Sequence, residues 1–273
     1  MSMKIRIVAL TRLSEKRKAE VRALEAACRA ADGTEAVAEL SNEMNFSRRL
    51  KCFFLCYKGS RLTGYLEFFC PDGENAEISA FVEPGERRKG VFSALLEAAK
   101  AELQTAGTVL LSAEPADRRT VPLSLWVVAE PVSEAAAKTA EAMGMKRKYS
   151  ELVMRLGNYG ETRPHGNLII EKREEEGELT FTLRDAEEDI VYGELSAQVG
   201  ERTVFIYGVE IEERYRGQGL GKALVETTLG VIRKDYPKHD VKLHVTDTNL
   251  PAMRIYKKLG FVAESERIYY AVN

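Results

Sequence analysis

The stretch ERYRGQGLGKALVE, Glu213 to Glu226, decides the fold. It joins the strand-like TVFIYGVEI (Thr203 to Ile211) to an amphipathic helical pattern, and it does so through Gly217, Gly219 and Gly221, ringed by Arg214, Arg216 and Lys222. Glycine admits positive φ and lets another group approach the backbone closely. The first N–H groups of a helix lack intrahelical partners, and the macrodipole places roughly half a positive charge there. A turn of this composition is an anion cradle. An ordinary strand-to-helix turn explains one glycine but not three alternating ones.

Spacing separates the phosphate-binding patterns that use such a turn. A P-loop needs G-x-x-x-x-G-K-S/T, but Arg216 stands five residues before Gly221 and Ala223 follows Lys222. The dinucleotide fingerprint G-x-G-x-x-G accepts Gly217 and Gly219 and then meets Lys222 where it requires glycine. Arg216-x-x-Gly219-x-Gly221 instead resembles the acyl-CoA signature Q/R-x-x-G-x-G/A of the GNAT superfamily of N-acetyltransferases. NLPAMRIYKKLGF (Asn249 to Phe261) is similar to that family's C-terminal segment, with Asn249, Ala252, Tyr256, Gly260 and Phe261 in place.

The resemblance implies an acetyl-CoA-dependent transfer to a primary amine. It implies that the backbone of Gly217, Gln218, Gly219, Leu220, Gly221 and Lys222, with Arg216 beside it, receives the CoA pyrophosphate. It implies further that backbone amides at Val209 and Ile211 hold the pantetheine arm and polarise the carbonyl, that Asn249 contacts CoA, and that Tyr256 is the general acid. A phenol titrates near 10 and a thiol near 8.5, so a tyrosine keeps its proton at neutral pH until a thiolate departs. The base is open. Many relatives carry Glu or His where this chain has Tyr207; Glu210 is the nearest acid in the strand, and alternation sets it opposite Tyr207 unless a bulge intervenes. His244, in VKLHV, is a lone strand histidine of the kind that is more often structural or exposed.

An internal repeat extends the resemblance over the chain. RRKGVFSALLE (Arg87 to Glu97) runs gap-free beneath RGQGLGKALVE (Arg216 to Glu226), and AMGMKRKYSELVMRL (Ala142 to Leu156) beneath KLGFVAESERIYYAV (Lys258 to Val272). We expect an α+β chain of two tandem GNAT-type modules, each a mixed, mostly antiparallel sheet flanked by helices. The boundary falls in GNYGETRPHG (Gly157 to Gly166), giving modules 1–158 and 166–273. The N-terminal module has Ala140 for Tyr256, Ser133 for Asn249 and Phe92 for Gly221, so it reads as non-catalytic. It carries a strand KIRIVAL, a helix at Ser14 to Ala31, a weaker helix near Glu35 to Met44, three strands, a helix from about Arg88 to Leu103, and an apolar strand TVLLSAE (Thr108 to Glu114). The C-terminal module lacks counterparts of the first two helices, which leads us to expect that its acceptor pocket borrows surface from the N-terminal half.

Composition bounds the partners. Lys+Arg 40 against Asp+Glu 42, a formal charge of -2, favours a small-molecule or peptide amine over nucleic acid or a membrane surface. No apolar run approaches a bilayer span, and IRIVAL is too short for a signal-peptide core, so the expected location is cytoplasmic. Cys28, Cys52, Cys56 and Cys70 lack CxxC spacing or a nearby histidine; they read as buried reduced thiols, with no metal site. Pseudo-symmetry suits a monomer, or a homodimer. The reading from another class is a non-catalytic acyl-CoA-binding or regulatory module.

Overall fold

A computed structural model describes residues 4–110, 124–158, 166–175, 177–188 and 190–272. The chain divides into two units: Met1–Lys148 with Arg267–Asn273, and Tyr149–Glu266.

The first unit runs β1 (Ile5–Leu10), α1 (Glu15–Asp32), β2 (Phe53–Lys58), β3 (Arg61–Phe69), β4 (Asn75–Val82), α2 (Val91–Leu110), β5 (Ser124–Ala129), α3 (Glu134–Ala142) and the start of β6 (Lys146–Leu156). β1 to β4 pair antiparallel in chain order. β4 and β5 are parallel from Asn75↔Ser124 to Ile78↔Val127. The C-terminal residues Ile268–Ala271 close the sheet by pairing antiparallel with β5.

Local chemistry sets α1. Ser14 caps its N-terminus, Gly33 at φ 66 ends it, and Val21, Leu24 and Cys28 recur at helical spacing on its buried face. Past Gly33 the expected helix at Glu35 to Met44 does not form. Buried Glu25 accepts from the Ala38 N–H at 2.9 Å, Glu39 from those of Leu40 and Ser41, and the Glu39 carbonyl from the Tyr65 hydroxyl at 2.6 Å. These side chains take the backbone groups that helical turns would need. The expected strand at Thr108 is also corrected: α2 runs through to Leu110, and the remainder of TVLLSAE lies outside the described residues. SLWVVA, which the apolar periodicity did not single out, is the parallel partner of β4.

The second unit holds most of β6, then β7 (Leu168–Glu175), β8 (Glu178–Asp185), β9 (Val191–Val199), β10 (Thr203–Ile211), α4 (Leu220–Asp235), β11 (Asp240–Thr246), α5 (Leu250–Lys258) and β12 (Phe261–Ala271), whose last residues belong to the first unit. Its strand order is β12-β6-β11-β10-β9-β8-β7, with β10–β11 its parallel pair. Leu179, Phe181, Leu183, Leu195, Ala197, Val204 and Ile206 turn one sheet face toward Leu224, Val225, Leu229 and Ile232 of α4. Each valine, leucine, isoleucine or phenylalanine so buried contributes roughly 1.5–3 kcal/mol. The opposite face carries Glu194, Ser196 and Gln198, and among its described residues this unit has no helix in the place of α1.

The repeat is geometric as well as sequential. Arg87 Nε donates to the carbonyl of Val82, the last residue of β4, and Arg216 Nε to that of Ile211, the last residue of β10. Gly90 and Gly219 share a left-handed φ, 81 and 84, and Arg88 at φ 60 takes the place of Gly217 at φ 80. The four cysteines are free and buried, and burial pushes the Cys52 thiol up to about 12.

The first unit also buries Glu67, 5 % exposed, between Phe53 and Ser79 in the sheet. Burial, helped by the charge of Glu39 and opposed by a hydrogen bond with Ser79, pushes its carboxyl from 4.5 up to about 8. Between those values the folded form keeps a proton that the unfolded chain has released, so stability is full below 4.5 and falls as pH rises towards 8. The single tryptophan, Trp126, lies in β5 and reports on this unit. Denaturation followed by its fluorescence should show a midpoint that drops across that range, with Glu67→Gln flattening the slope. The same slope in the variant would assign the pH dependence elsewhere.

Candidate active site

β10 and β11 are in register from Thr203↔Asp240 to Ile206↔Leu243 and no further, although β10 continues to Ile211 and β11 to Thr246. Beyond Ile206 the side of β10 toward β11 has no ladder partner, while its other side stays paired with β9 through Glu210↔Glu194 and Ile211↔Gly193. Val209 and Ile211 lie in this half-paired stretch. Backbone donors and acceptors left open there are available to an extended ligand.

A bulge sits in the same stretch. Tyr207 opposes Ser196 and Glu210 opposes Glu194, so β10 spends one more residue than β9, with Gly208 at φ 62. Ser196 and Glu194 share a face, and therefore so do Tyr207 and Glu210. Simple alternation had set them on opposite faces; the extra residue reverses the parity.

A 3-10 turn, Glu213–Tyr215, then leads to α4. At Gly217 and Gly219 an added Cβ would meet nothing within 4 Å, so the left-handed φ demands glycine there and the space outside is open. Gly221 serves packing: a Cβ would stand 3.3 Å from Ile255 Cδ1 and 3.7 Å from Ile211 Cγ1. Among the described residues nothing accepts from the N–H groups of Gly217, Gln218, Gly219, Leu220 or Gly221. The Lys222 N–H, by contrast, donates to the Gly219 carbonyl at 3.1 Å. The turn thus presents consecutive free donors at the positive end of a sixteen-residue helix.

The basic side chains are already partnered. Arg214 meets Glu212 at 2.8 Å, Arg216 lies 3.6 Å from Glu210, and Lys222 bonds Glu226 one helical turn on. An anion at this turn would therefore meet backbone amides first.

Asn249 is the N-cap of α5; its Oδ1 accepts from the Ala252 N–H at 3.2 Å, which leaves its amide nitrogen as the free donor. Ser133 caps α3 in the same way at 3.3 Å. Tyr256 is buried on α5 with its ring edge-on to Phe261, 5.8 Å between centroids, and burial alone raises its pKa. Tyr207 is half-exposed, and its pKa is raised by its interaction with Glu178, then by burial. A phenol whose pKa is raised stays protonated at neutral pH and is no base. His244 lies on β11 with Nδ1 3.4 Å from Glu151 of β6, a pairing across a long sequence separation that no local pattern announces.

A mixed sheet parted between two parallel strands over a glycine-opened helix, built twice in one chain, defines a tandem α+β acyltransferase fold. The model of the Acetyltransferase (GNAT) family matches residues 18–123 and 148–261, and the chain belongs to that family as a GNAT-type N-acetyltransferase. It is similar to the mycothiol acetyltransferase of Corynebacterium glutamicum (strain R), 27% identical over 223 residues, 72% of this chain and 75% of that one. It is 36% identical over 67 residues to the N-alpha-acetyltransferase of Sulfurisphaera tokodaii, which covers 24% of this chain and 40% of that protein. The tandem GNAT protein from the clavulanic acid biosynthesis pathway superposes with a TM-score of 0.60 at 15% identity, covering 98% of each chain, a likeness of fold.

The Tyr256 hydroxyl has no hydrogen-bond partner among the described residues, and burial is the sole cause of its pKa shift. Tyr256→Phe should therefore leave stability within about 0.5 kcal/mol of the parent by thermal denaturation. A loss of about 1 kcal/mol or more would mean the hydroxyl holds a structural bond.

Proposed function

We propose that the second unit transfers the acetyl group of acetyl-CoA to a primary amine of a small molecule or to a free α-amine. The observation that carries this reading is the row of unpartnered N–H groups from Gly217 to Gly221 beside the half-paired stretch of β10. A pyrophosphate needs several convergent donors and room to approach, and a turn with open space at Gly217 and Gly219 fits both needs.

Acetyl-CoA supplies the activated acetyl thioester. Its pyrophosphate lies on Gly217, Gln218, Gly219, Leu220 and Gly221, with Arg216 and Lys222 at the rim. Backbone groups at Val209 and Ile211 align the arm and present a donor to the thioester carbonyl. The Asn249 amide nitrogen adds a contact. Tyr256, kept protonated by burial, gives the departing sulfur its proton. The first unit has Ala140, Ser133 and Phe92 at the corresponding positions, and we assign it a non-catalytic role. The names of the relatives, a mycothiol acetyltransferase and an N-alpha-acetyltransferase, support an acetyl acceptor of this class.

Calorimetric titration of acetyl-CoA into Gly219→Asn and Gly219→Asp tests the site. Both replacements bear similar strain at φ 84, and asparagine tolerates that region, so their difference isolates charge. The aspartate should bind at least about tenfold more weakly than the asparagine variant, the equivalent of 1.4 kcal/mol. Equal affinities would remove the pyrophosphate from this turn. Mass spectrometry of products from pooled polyamines, amino acids, aminoglycosides and short peptides then identifies the acceptor.

A further inference from the structure

His244 occupies a position that its neighbours leave to it. Ile206↔Leu243 is the last parallel pair, so Tyr207 and His244 are the first residues on either side of the gap. The rings of Phe205 and His244 stack obliquely, 4.8 Å between centroids at 49°, which puts His244 on the face that Phe205 and Tyr207 share, opposite α4. Tyr207 opposes Ser196 of β9, and the neighbouring Glu178 raises its pKa, so its phenol stays protonated at neutral pH. The imidazole is left as the titratable group on the β11 side of the fork.

One edge of that imidazole is engaged and the other is free to act. Nδ1 faces Glu151 Oε2 at 3.4 Å, from the adjacent antiparallel strand, and the side chain is 45% exposed. A carboxylate on one ring nitrogen fixes the tautomer and leaves the second nitrogen as the acceptor. Of the other charges on this face, Lys242 and Arg155 both meet Glu264, at 2.6 and 3.5 Å, and Glu210 lies 3.6 Å from Arg216. Glu194 opposes Glu210 from β9, which β10 separates from β11.

We infer that His244, with its Nδ1 edge held by Glu151, is the general base that takes a proton from the acceptor amine. This rests on the acetyl transfer proposed for the second unit. The amine arrives as an ammonium and gives a proton to Nε2 of His244. Its lone pair forms the new N–C bond at the thioester carbonyl as the C–S bond breaks. The electron pair leaves on sulfur, which takes the Tyr256 proton. The acylated nitrogen, still carrying two protons, gives one more to solvent and becomes the neutral amide. Solvent also accepts the proton from His244 and restores that of Tyr256, and nothing is oxidised or reduced. Glu151 is a positioning residue in this scheme, acting through the ring.

The test uses the full chain with His244→Gln, His244→Gly and Glu151→Gln. Both histidine variants should bind acetyl-CoA with unchanged affinity by calorimetry and lose about 10²-fold or more in kcat/KM. Free imidazole should restore activity to His244→Gly. Glu151→Gln should lose less, and nitrogen-15 spectra of the ligand-free protein should show the neutral ring moving from the Nδ1–H tautomer toward Nε2–H. Parent-like kcat/KM in His244→Gln, with turnover in the parent, overturns the base assignment alone. An unaltered tautomer in Glu151→Gln overturns the pairing. A parent chain that turns over no amine overturns both this inference and the function on which it rests.

Discussion

Backbone hydrogen bonding is the constraint on which the second unit depends. A strand between two neighbours must satisfy both of its sides, and β10 does so only to Ile206. From there one side keeps its ladder with β9 and the other has none, a state costly in a closed core and tolerable where ligand or water can enter. The bulge at Gly208 lies where the partners diverge, and its extra residue carries Glu210 round to the face of Tyr207. The fork, the bulge and the bare helix entrance are consequences of one parting of strands.

The electrostatics follow from what the backbone already provides. Arg214, Arg216 and Lys222 would repel one another around an empty turn, and each is instead matched with a carboxylate. Exposed pairs of this kind are worth about 0–1 kcal/mol, so exchanging an exposed carboxylate for a phosphate costs little. Lys222 differs from the other two in that its carboxylate, Glu226, is buried, and a buried pair costs more to break than an exposed one. Arg216 is therefore better suited than Lys222 to turn outward to an anion.

Much of this was legible in the chain. TVFIYGVEI and ELTFTLRD coincide with β10 and β8, the helix opening at Gly219 is where the glycine turn put it, and the gap-free repeat appears as two units with matching turns. Local propensity and periodicity are short-range, and these elements agree with them. What escaped depends on distant partners. The segment at Glu35 to Met44 is pinned by Glu25, Glu130 and Tyr65, none of them a sequence neighbour. Glu67 is buried by strand pairing that its own window, LEFF, does not dictate. His244 acquires a carboxylate only because β6 lies beside β11. The parity of Glu210 turned on one bulge, for which Gly208 was the available sign.

The two turns, compared, bear on how the binding surface is prepared. Arg88 holds φ 60 where the second unit has Gly217, and a side chain in that region costs roughly 1–2 kcal/mol. Such a conformation persists only where its surroundings over-determine it. Here those surroundings are Arg87, bound to the Val82 carbonyl and in a bidentate pair with Asp32 at 2.7 and 2.8 Å. The first unit thus keeps the turn although Ala140 stands where a phenol would be required. A backbone path retained against strain and without that phenol is set by the strand-to-helix junction itself. In the second unit, with Arg216 bound to Ile211 in the same way and glycine removing the strain, the donors of Gly217 to Gly221 are fixed in advance of the pyrophosphate we propose they hold. An anion that meets fixed donors loses little of its binding energy to ordering them.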